Sequence, residues 1–297
     1  MKNIHLFIVT FFLICSCTNY SIDNKIMSFD KSKGFGLTSE EMINIGKLHN
    51  EFALKLEKRM DLSCTKCSQI LKRNLIDILE EKLRKAGLAG SLDSETIIEK
   101  ALIDATALRE IDFSLKEWKP SLLSDSGFKS YGRILDEVDL AESVLDVNNR
   151  IDDLKVLFEK SSHSEFEKEV LISSAEVARY SFELWAPEDI GGLGLWGRIN
   201  GELSQENVNY GDGIILSKRN DDEDSNDSEK SKKRWCWKCA VAGDVAGLAS
   251  YFTSLGVVGS ITAAAIPGTN GILALSAAAT SVGGSVIGGS QVTSQID

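Results

Sequence analysis

Proline and histidine are both scarce in this chain, with three residues of each in 297. Proline removes a backbone donor and breaks helices, so its scarcity leaves room for long helices. The scarcity of histidine leaves few imidazole groups for metal binding or general base catalysis. These two shortages favour a helical protein and give little support to histidine-based chemistry.

The sequence also lacks the short motifs that organise common active sites. It contains no phosphate-binding glycine loop, no hydrolase nucleophile elbow and no metalloprotease helix. His49 lies in a helical pattern near Glu41, Glu51 and Glu57, but none of these residues stands at ligand spacing from it. We expect His49 to be a packed or surface residue, and the protein to be non-enzymatic.

A basic surface stripe is missing as well. The formal net charge is −11, which repels nucleic acid phosphates, and no row of basic and aromatic residues offsets it. Nucleic acid is therefore not an expected partner. The acidic run at 221–224 lacks the ligand spacing and the glycine of a calcium loop, so we interpret it as a solvated linker.

The first seventeen residues, MKNIHLFIVTFFLICSC, have the layout of an exported protein's leader. A lysine precedes an apolar run at residues 6–14 that is too short to span a bilayer. The run ends in Leu-Ile-Cys-Ser-Cys, which resembles the lipobox of bacterial lipoproteins. The small residue Ser16 favours Cys17 over Cys15 as the lipid acceptor.

The lipobox resemblance implies that residues 1–16 are a lipoprotein signal peptide and that Cys17 carries the lipid. It further implies a protein of the bacterial cell envelope, held at the membrane by its N-terminal lipid and placed in the outer membrane or facing the periplasm. Several acyl chains would anchor it stably, at roughly 0.8 kcal/mol per buried methylene. The alternative is an ordinary signal peptide that is cleaved elsewhere.

Apolar residues recur at helical spacing from Thr38 onward, and Thr38 with Glu41 forms a predicted capping box. The pattern predicts helices over 38–60, 63–87, from 93 or 94 to about 108, 131–145, 148–160 and 164–185. In the last of these, Ser173, Ser174 and Glu176 are interpreted as a polar rim. Short connections between helices favour an antiparallel bundle, and the predicted fold class is all-α.

Composition divides the mature chain into four parts. They are a polar tether at 17–37, a helical domain at 38–200, an irregular and then charged linker at 201–234, and an apolar tail at 235–297.

Four cysteines remain if Cys15 leaves with the leader and Cys17 is acylated: Cys64, Cys67, Cys236 and Cys239. Exported chains occupy an oxidising environment, which favours disulfides. Two Cys-x-x-Cys pairs could instead give tetrahedral zinc coordination if they meet in space. Redox catalysis is a third interpretation, but no βαβ pattern surrounds either pair. No other cofactor is expected.

The tail contains a single charged residue between 240 and 292, Asp244, and turn residues at 267–271 divide it into two halves. Each half has about the length needed to cross a hydrocarbon core of roughly 30 Å. Small residues recur at spacings of three and four, including Gly243 and Gly247 in the first half and Gly284 and Gly288 in the second. Such rows allow close helix packing, so we predict a small-residue helical hairpin.

The residues at the start of this tail have the composition of a segment that lies at a membrane–water interface. Basic residues that can meet anionic headgroups lie beside tryptophans that favour interfaces: Lys232, Lys233, Arg234, Trp235 and Trp237. In its spacing the tail resembles glycine-zipper segments and the helices of two-peptide bacteriocins. We therefore expect a hairpin that contacts a membrane or a protein partner. The alternative is a structural or interaction lipoprotein in which the hairpin packs internally.

Overall fold

A computed structural model describes residues 33–62, 68–90, 93–110, 123–195, 197–198, 237–258 and 269–289. Within these ranges the chain forms eight α-helices and no strand. The helices are α1 (Ser39–Glu57), α2 (Ser68–Lys85), α3 (Ser94–Glu110), α4 (Asp125–Leu140), α5 (Val144–Glu159), α6 (Glu165–Trp185), α7 (Trp237–Val258) and α8 (Thr269–Gly289). One 3-10 turn, Glu188–Ile190, follows α6. The predicted all-α class and helical-bundle packing are confirmed.

Side-chain caps explain where several helices begin. The Thr38 hydroxyl accepts the Glu41 N–H, and the Glu41 carboxylate accepts the Thr38 N–H, so the predicted capping box of α1 is present. Ser164 and Glu167 form the same arrangement at the start of α6. Each cap satisfies backbone donors that have no partner within the helix.

The helix predicted over 131–145 is wrong at both ends. Ser124 caps α4, with its hydroxyl accepting the Gly127 N–H at 3.0 Å, so the helix begins at Asp125. Ser143 caps α5 in the same way through the Asp146 N–H at 3.1 Å. The apolar pattern alone placed the boundaries on large residues, whereas the serine caps determine the true starts.

The C-terminal hairpin lies in the middle of the bundle. Helices α7 and α8 pack against each other, α8 also packs on α1, α2 and α3, and α7 packs on α3, α4 and α6. One continuous hydrophobic core includes Leu75 and Phe182 of the surrounding helices together with Leu248 and Ala278 of the hairpin. Helices α7 and α8 are therefore packed internally, as the alternative interpretation of the tail expected.

Helix α6 is buried on nearly every side because it faces both the hairpin and the outer helices α1, α4 and α5. Ser173, Ser174 and Glu176 are fully buried, so their interpretation as a polar rim is wrong. The hairpin and the outer helices together bury the expected solvent face, and Glu176 accepts the Lys155 ammonium of α5 there. Small hydroxyl side chains fit such a crowded interface between helices.

Candidate functional site

The contact between α7 and α8 is built from glycine. A Cβ at Gly243 would meet the carbonyl oxygen of Gly284, and a Cβ at Gly284 would meet the carbonyl oxygen of Gly243. At Gly247 an added Cβ would lie 2.8 Å from the Thr280 carbonyl oxygen. Residue numbers rise along α7 as they fall along α8, so the helices are antiparallel with backbones in direct contact.

This geometry places three of the four predicted packing glycines, Gly243, Gly247 and Gly284, at the crossing of the hairpin helices. Gly288 lies in the last turn of α8. Close backbone approach replaces side-chain packing there, which is the arrangement that small-residue rows permit.

Asp244 is the centre of a polar cluster between the hairpin, α7 and α8, and the body of the bundle, helices α1–α6. Its side chain is fully buried, and its Oδ2 accepts the Ser181 hydroxyl at 2.5 Å and the Trp185 indole N–H at 2.9 Å. Its backbone carbonyl accepts the Ser281 hydroxyl at 2.8 Å. One residue of α7 is thereby joined to α6 and to α8.

His49 of α1 completes this cluster. Its Nε2 lies 2.9 Å from Asp244 Oδ1, and both side chains are fully buried. The contact has ion-pair distance without the alignment of a hydrogen bond. On the other side of the ring, Nδ1 lies 2.9 Å from Asn50 Oδ1. Both ring nitrogens of His49 therefore lie close to side-chain oxygen atoms.

The Asp244 cluster is suited to holding helices together. A buried carboxylate requires hydrogen-bond donors, and Asp244 receives them from Ser181 and Trp185 of α6. Although the cluster contains serine, histidine and aspartate, the hydroxyl contacts the aspartate and not the imidazole. It therefore lacks the nucleophile-to-base contact of a catalytic triad.

The start of α7 is fixed to the body by a tryptophan and a lysine. The Trp237 ring packs edge-on against Phe182, with ring centroids 5.1 Å apart. Lys238 donates to the Asp139 carbonyl oxygen at 2.8 Å and lies 3.3 Å from its carboxylate. Trp237 is thus half-buried against α6 in this state, and its predicted role at a membrane interface stays a prediction.

Cys239 is disulfide-bonded, and its partner sulfur lies outside the described residues. Cys64, Cys67 and Cys236 also lie outside those residues. A disulfide sulfur is not a thiolate, so Cys239 cannot bind zinc while the bond exists. No cluster of three metal-binding side chains occurs where the chain is described, and the zinc alternative stays a prediction.

The remaining predicted site residues also lie outside the described ranges. They are Cys17, Lys232, Lys233, Arg234 and Trp235. The predicted signal peptide, most of the tether and the charged linker also lie outside the described ranges. Lipidation of Cys17 and contact with lipid headgroups therefore remain predictions.

Helix α8 has the length and composition of a membrane-crossing segment. The stretch Asn270–Ile287 passes that test, and 83% of it is buried inside the structure. A buried core helix can pass the same test, so composition alone does not distinguish the two.

Comparison with protein-family models, curated proteins and solved structures finds no match for this chain.

Proposed function

We propose that this is a non-enzymatic envelope protein, anchored by lipid at Cys17, that stores an apolar helical hairpin inside a shell of helices and transfers it to a membrane. The observation that supports the proposal is the central position of α7 and α8, two long apolar helices enclosed by the other helices. A helix that is apolar on all sides suits either a protein core or a hydrocarbon layer, and among the described helices α8 has the length and hydropathy of a membrane span.

The hairpin is suited to this transfer because it keeps its own internal contact. The crossing at Gly243 and Gly284 joins only α7 and α8, so it does not depend on the shell. The Ser281 hydroxyl likewise bonds the Asp244 carbonyl oxygen within the hairpin. The two helices can therefore move together, and helix pairs with small-residue contacts are stable in lipid.

A second candidate function is an interaction lipoprotein whose hairpin remains permanently in the core. The observation that favours it is the Asp244 side chain, whose partners His49, Ser181 and Trp185 all lie on body helices. Transfer must break these contacts. It must also take a carboxylate toward the membrane, at about 3 kcal/mol if the carboxylate reaches the centre of the bilayer. In this alternative the outer helices alone contact a partner.

Dye release from vesicles separates the two functions. Full mature protein is added to vesicles of phosphatidylethanolamine and phosphatidylglycerol that contain a self-quenched dye. The Asp244→Asn variant removes the charge and weakens the ties to the body, so we expect faster release than with the unaltered protein. Ser174→Ala serves as the matched control, because Ser174 is buried on α6 and has no hydrogen-bond partner among the described residues.

Release that is equally slow for all three proteins, while Asp244→Asn demonstrably loosens α7 by hydrogen exchange, would favour the permanent core. Binding of such vesicles without dye release would point the same way, since the N-terminal lipid alone accounts for binding.

A further inference from the structure

Residues 33–37 form a strap that leads into α1 with an unusual backbone. Gly34 and Gly36 both have positive φ, at 61° and 76°. Residues other than glycine rarely adopt a positive φ. When such glycines alternate with residues of negative φ, successive backbone N–H groups point toward the same side of the chain. The sequence of the strap, Lys-Gly-Phe-Gly-Leu, is therefore suited to wrapping an anion.

The anion that the strap wraps is the carboxylate of Glu169 on α6. Glu169 Oε2 accepts the Phe35 N–H at 2.5 Å, and Oε1 accepts the Leu37 N–H at 2.8 Å. A Cβ at Gly34 would lie 2.5 Å from Glu169 Oε2. Burial raises the pKa of Glu169, and the N–H groups of Phe35 and Leu37 oppose that rise. The strap thus supplies the donors that this buried acid requires.

The side chain of Phe35 extends the contact to the hairpin. Its ring centroid lies 5.6 Å from that of Phe166 on α6, in an edge-on arrangement, and 5.5 Å from that of Phe252 on α7. Aromatic pairs at these separations stabilise a contact beyond simple burial. Through one phenylalanine the strap bridges the body helix α6 and the hairpin helix α7.

We infer that the strap is a detachable clasp on the hairpin, and that its undocking from Glu169 and Phe252 is the first step in the release of α7. That the released hairpin goes to a membrane rests on the proposed function. The clasp itself does not depend on that proposal. The strap is the last part of the tether predicted at 17–37, and its docking on α6 and α7 shows that this part is not a free tether. The predicted lipid anchor at Cys17 and the clasp therefore belong to one stretch of chain.

The size of the contact suits a step that precedes wider opening. The strap is a segment of five residues whose described contacts centre on the Glu169 carboxylate, the Phe35 ring and the buried Leu37, whereas α7 and α8 are buried along most of their described length. Segments with few buried contacts open locally at lower free energy than core helices. Undocking of the strap exposes Phe252 without first separating α7 from α8.

Two strap variants and a matched control test the clasp in the full mature protein. Phe35→Ala removes the ring that contacts Phe252, and Gly34→Val places a side chain against the Glu169 carboxylate. The control is Gly87→Val, since Gly87 also has positive φ, at 73°, but has no atom near its Cβ position. It therefore carries the same backbone strain away from the strap.

Hydrogen exchange by mass spectrometry reports on the clasp. In both strap variants we expect the amides of α7 to exchange faster by about tenfold or more, while those of α5 keep their rate. The control should leave α7 unchanged. Unchanged exchange of α7 in both strap variants would overturn the inference. Equal acceleration of α5 and α7 would overturn it too, because the strap would then be an ordinary part of one cooperative core.

Dye release measured on the same variants distinguishes the clasp from the proposed function. Faster exchange of α7 together with faster release supports both. Faster exchange of α7 without any increase in release keeps the clasp and contradicts transfer to a membrane.

Discussion

At the scale of single residues, Asp244 determines how the hairpin is held. It is the one charged residue in the sequence between 240 and 292, and it accepts hydrogen bonds from Ser181 and Trp185 beside His49. A buried charge with several donors specifies one arrangement of helices, because any other arrangement leaves that charge unpaired. The position of the hairpin in the bundle therefore depends on this carboxylate.

Asp244→Ala should lower the free energy of unfolding by about 3–5 kcal/mol, since it leaves an indole N–H and a hydroxyl without their common acceptor and a buried imidazole without its neighbouring carboxylate. Denaturant titration followed by circular dichroism measures this change. Ser174→Ala, a loss of one buried hydroxyl on the neighbouring helix, should change the value by less than about 1 kcal/mol. Similar effects of the two substitutions would show that the cluster has no special role.

The sequence could have predicted that Asp244 needs partners, because a single acid in an apolar helix is either exposed or paired. Its partners could not be predicted, since His49, Ser181 and Trp185 lie far from it in the chain. The same limit explains the error over Ser173, Ser174 and Glu176. A helix pattern identifies one apolar face, whereas here the hairpin covers a second face of α6.

At the scale of helices, local signals predicted the hairpin well. The spacing of Gly243, Gly247 and Gly284 indicated close backbone contact, and the structure places these residues at the crossing of α7 and α8. The capping box of Thr38 and Glu41 likewise predicted the start of α1, and the structure shows it. The starts of α4 and α5 were not predicted, because a single serine cap is a weaker signal in the sequence than a row of large apolar residues.

Gly284→Ala should destabilise the protein by about 1–3 kcal/mol, because its methyl group meets the Gly243 backbone and the helices must separate. Thermal unfolding by calorimetry measures the effect. Gly271→Ala, in the same helix, meets only Leu88 at 3.6 Å, so it should be neutral or stabilising by up to about 1 kcal/mol. Equal destabilisation by both would attribute the loss to something other than the helix crossing.

At the scale of the whole molecule, the apolar C-terminal helices α7 and α8 lie at the centre of the bundle. Helices α1, α2 and α3 cover α8, and α3, α4 and α6 cover α7. Composition indicated that residues 235–297 form an apolar unit, but it could not indicate whether lipid or protein surrounds that unit. Either environment removes apolar side chains from water, so the local pattern is the same for both.

Several described contacts tie the hairpin to the other helices, including a hydrogen bond of 2.8 Å from the Asn270 amide of α8 to the Glu41 carboxylate of α1. The Asp244 cluster holds α7 to α1 and α6, the Lys238 contacts hold its start to α4, and the strap at 33–37 holds its middle through Phe252. None of them interrupts the glycine contact between α7 and α8. Loss of these ties therefore releases the hairpin as a pair of helices, as the proposed function requires.

Hydrogen exchange of the full mature protein, with and without vesicles of phosphatidylethanolamine and phosphatidylglycerol, tests this central claim most directly. We predict that vesicles leave α7 and α8 protected, because hydrocarbon replaces protein around them. Helices α1 and α3 should lose protection, since they no longer pack on α8. Unchanged protection of α1 and α3 in protein bound to vesicles would contradict the account and identify the hairpin as a permanent core.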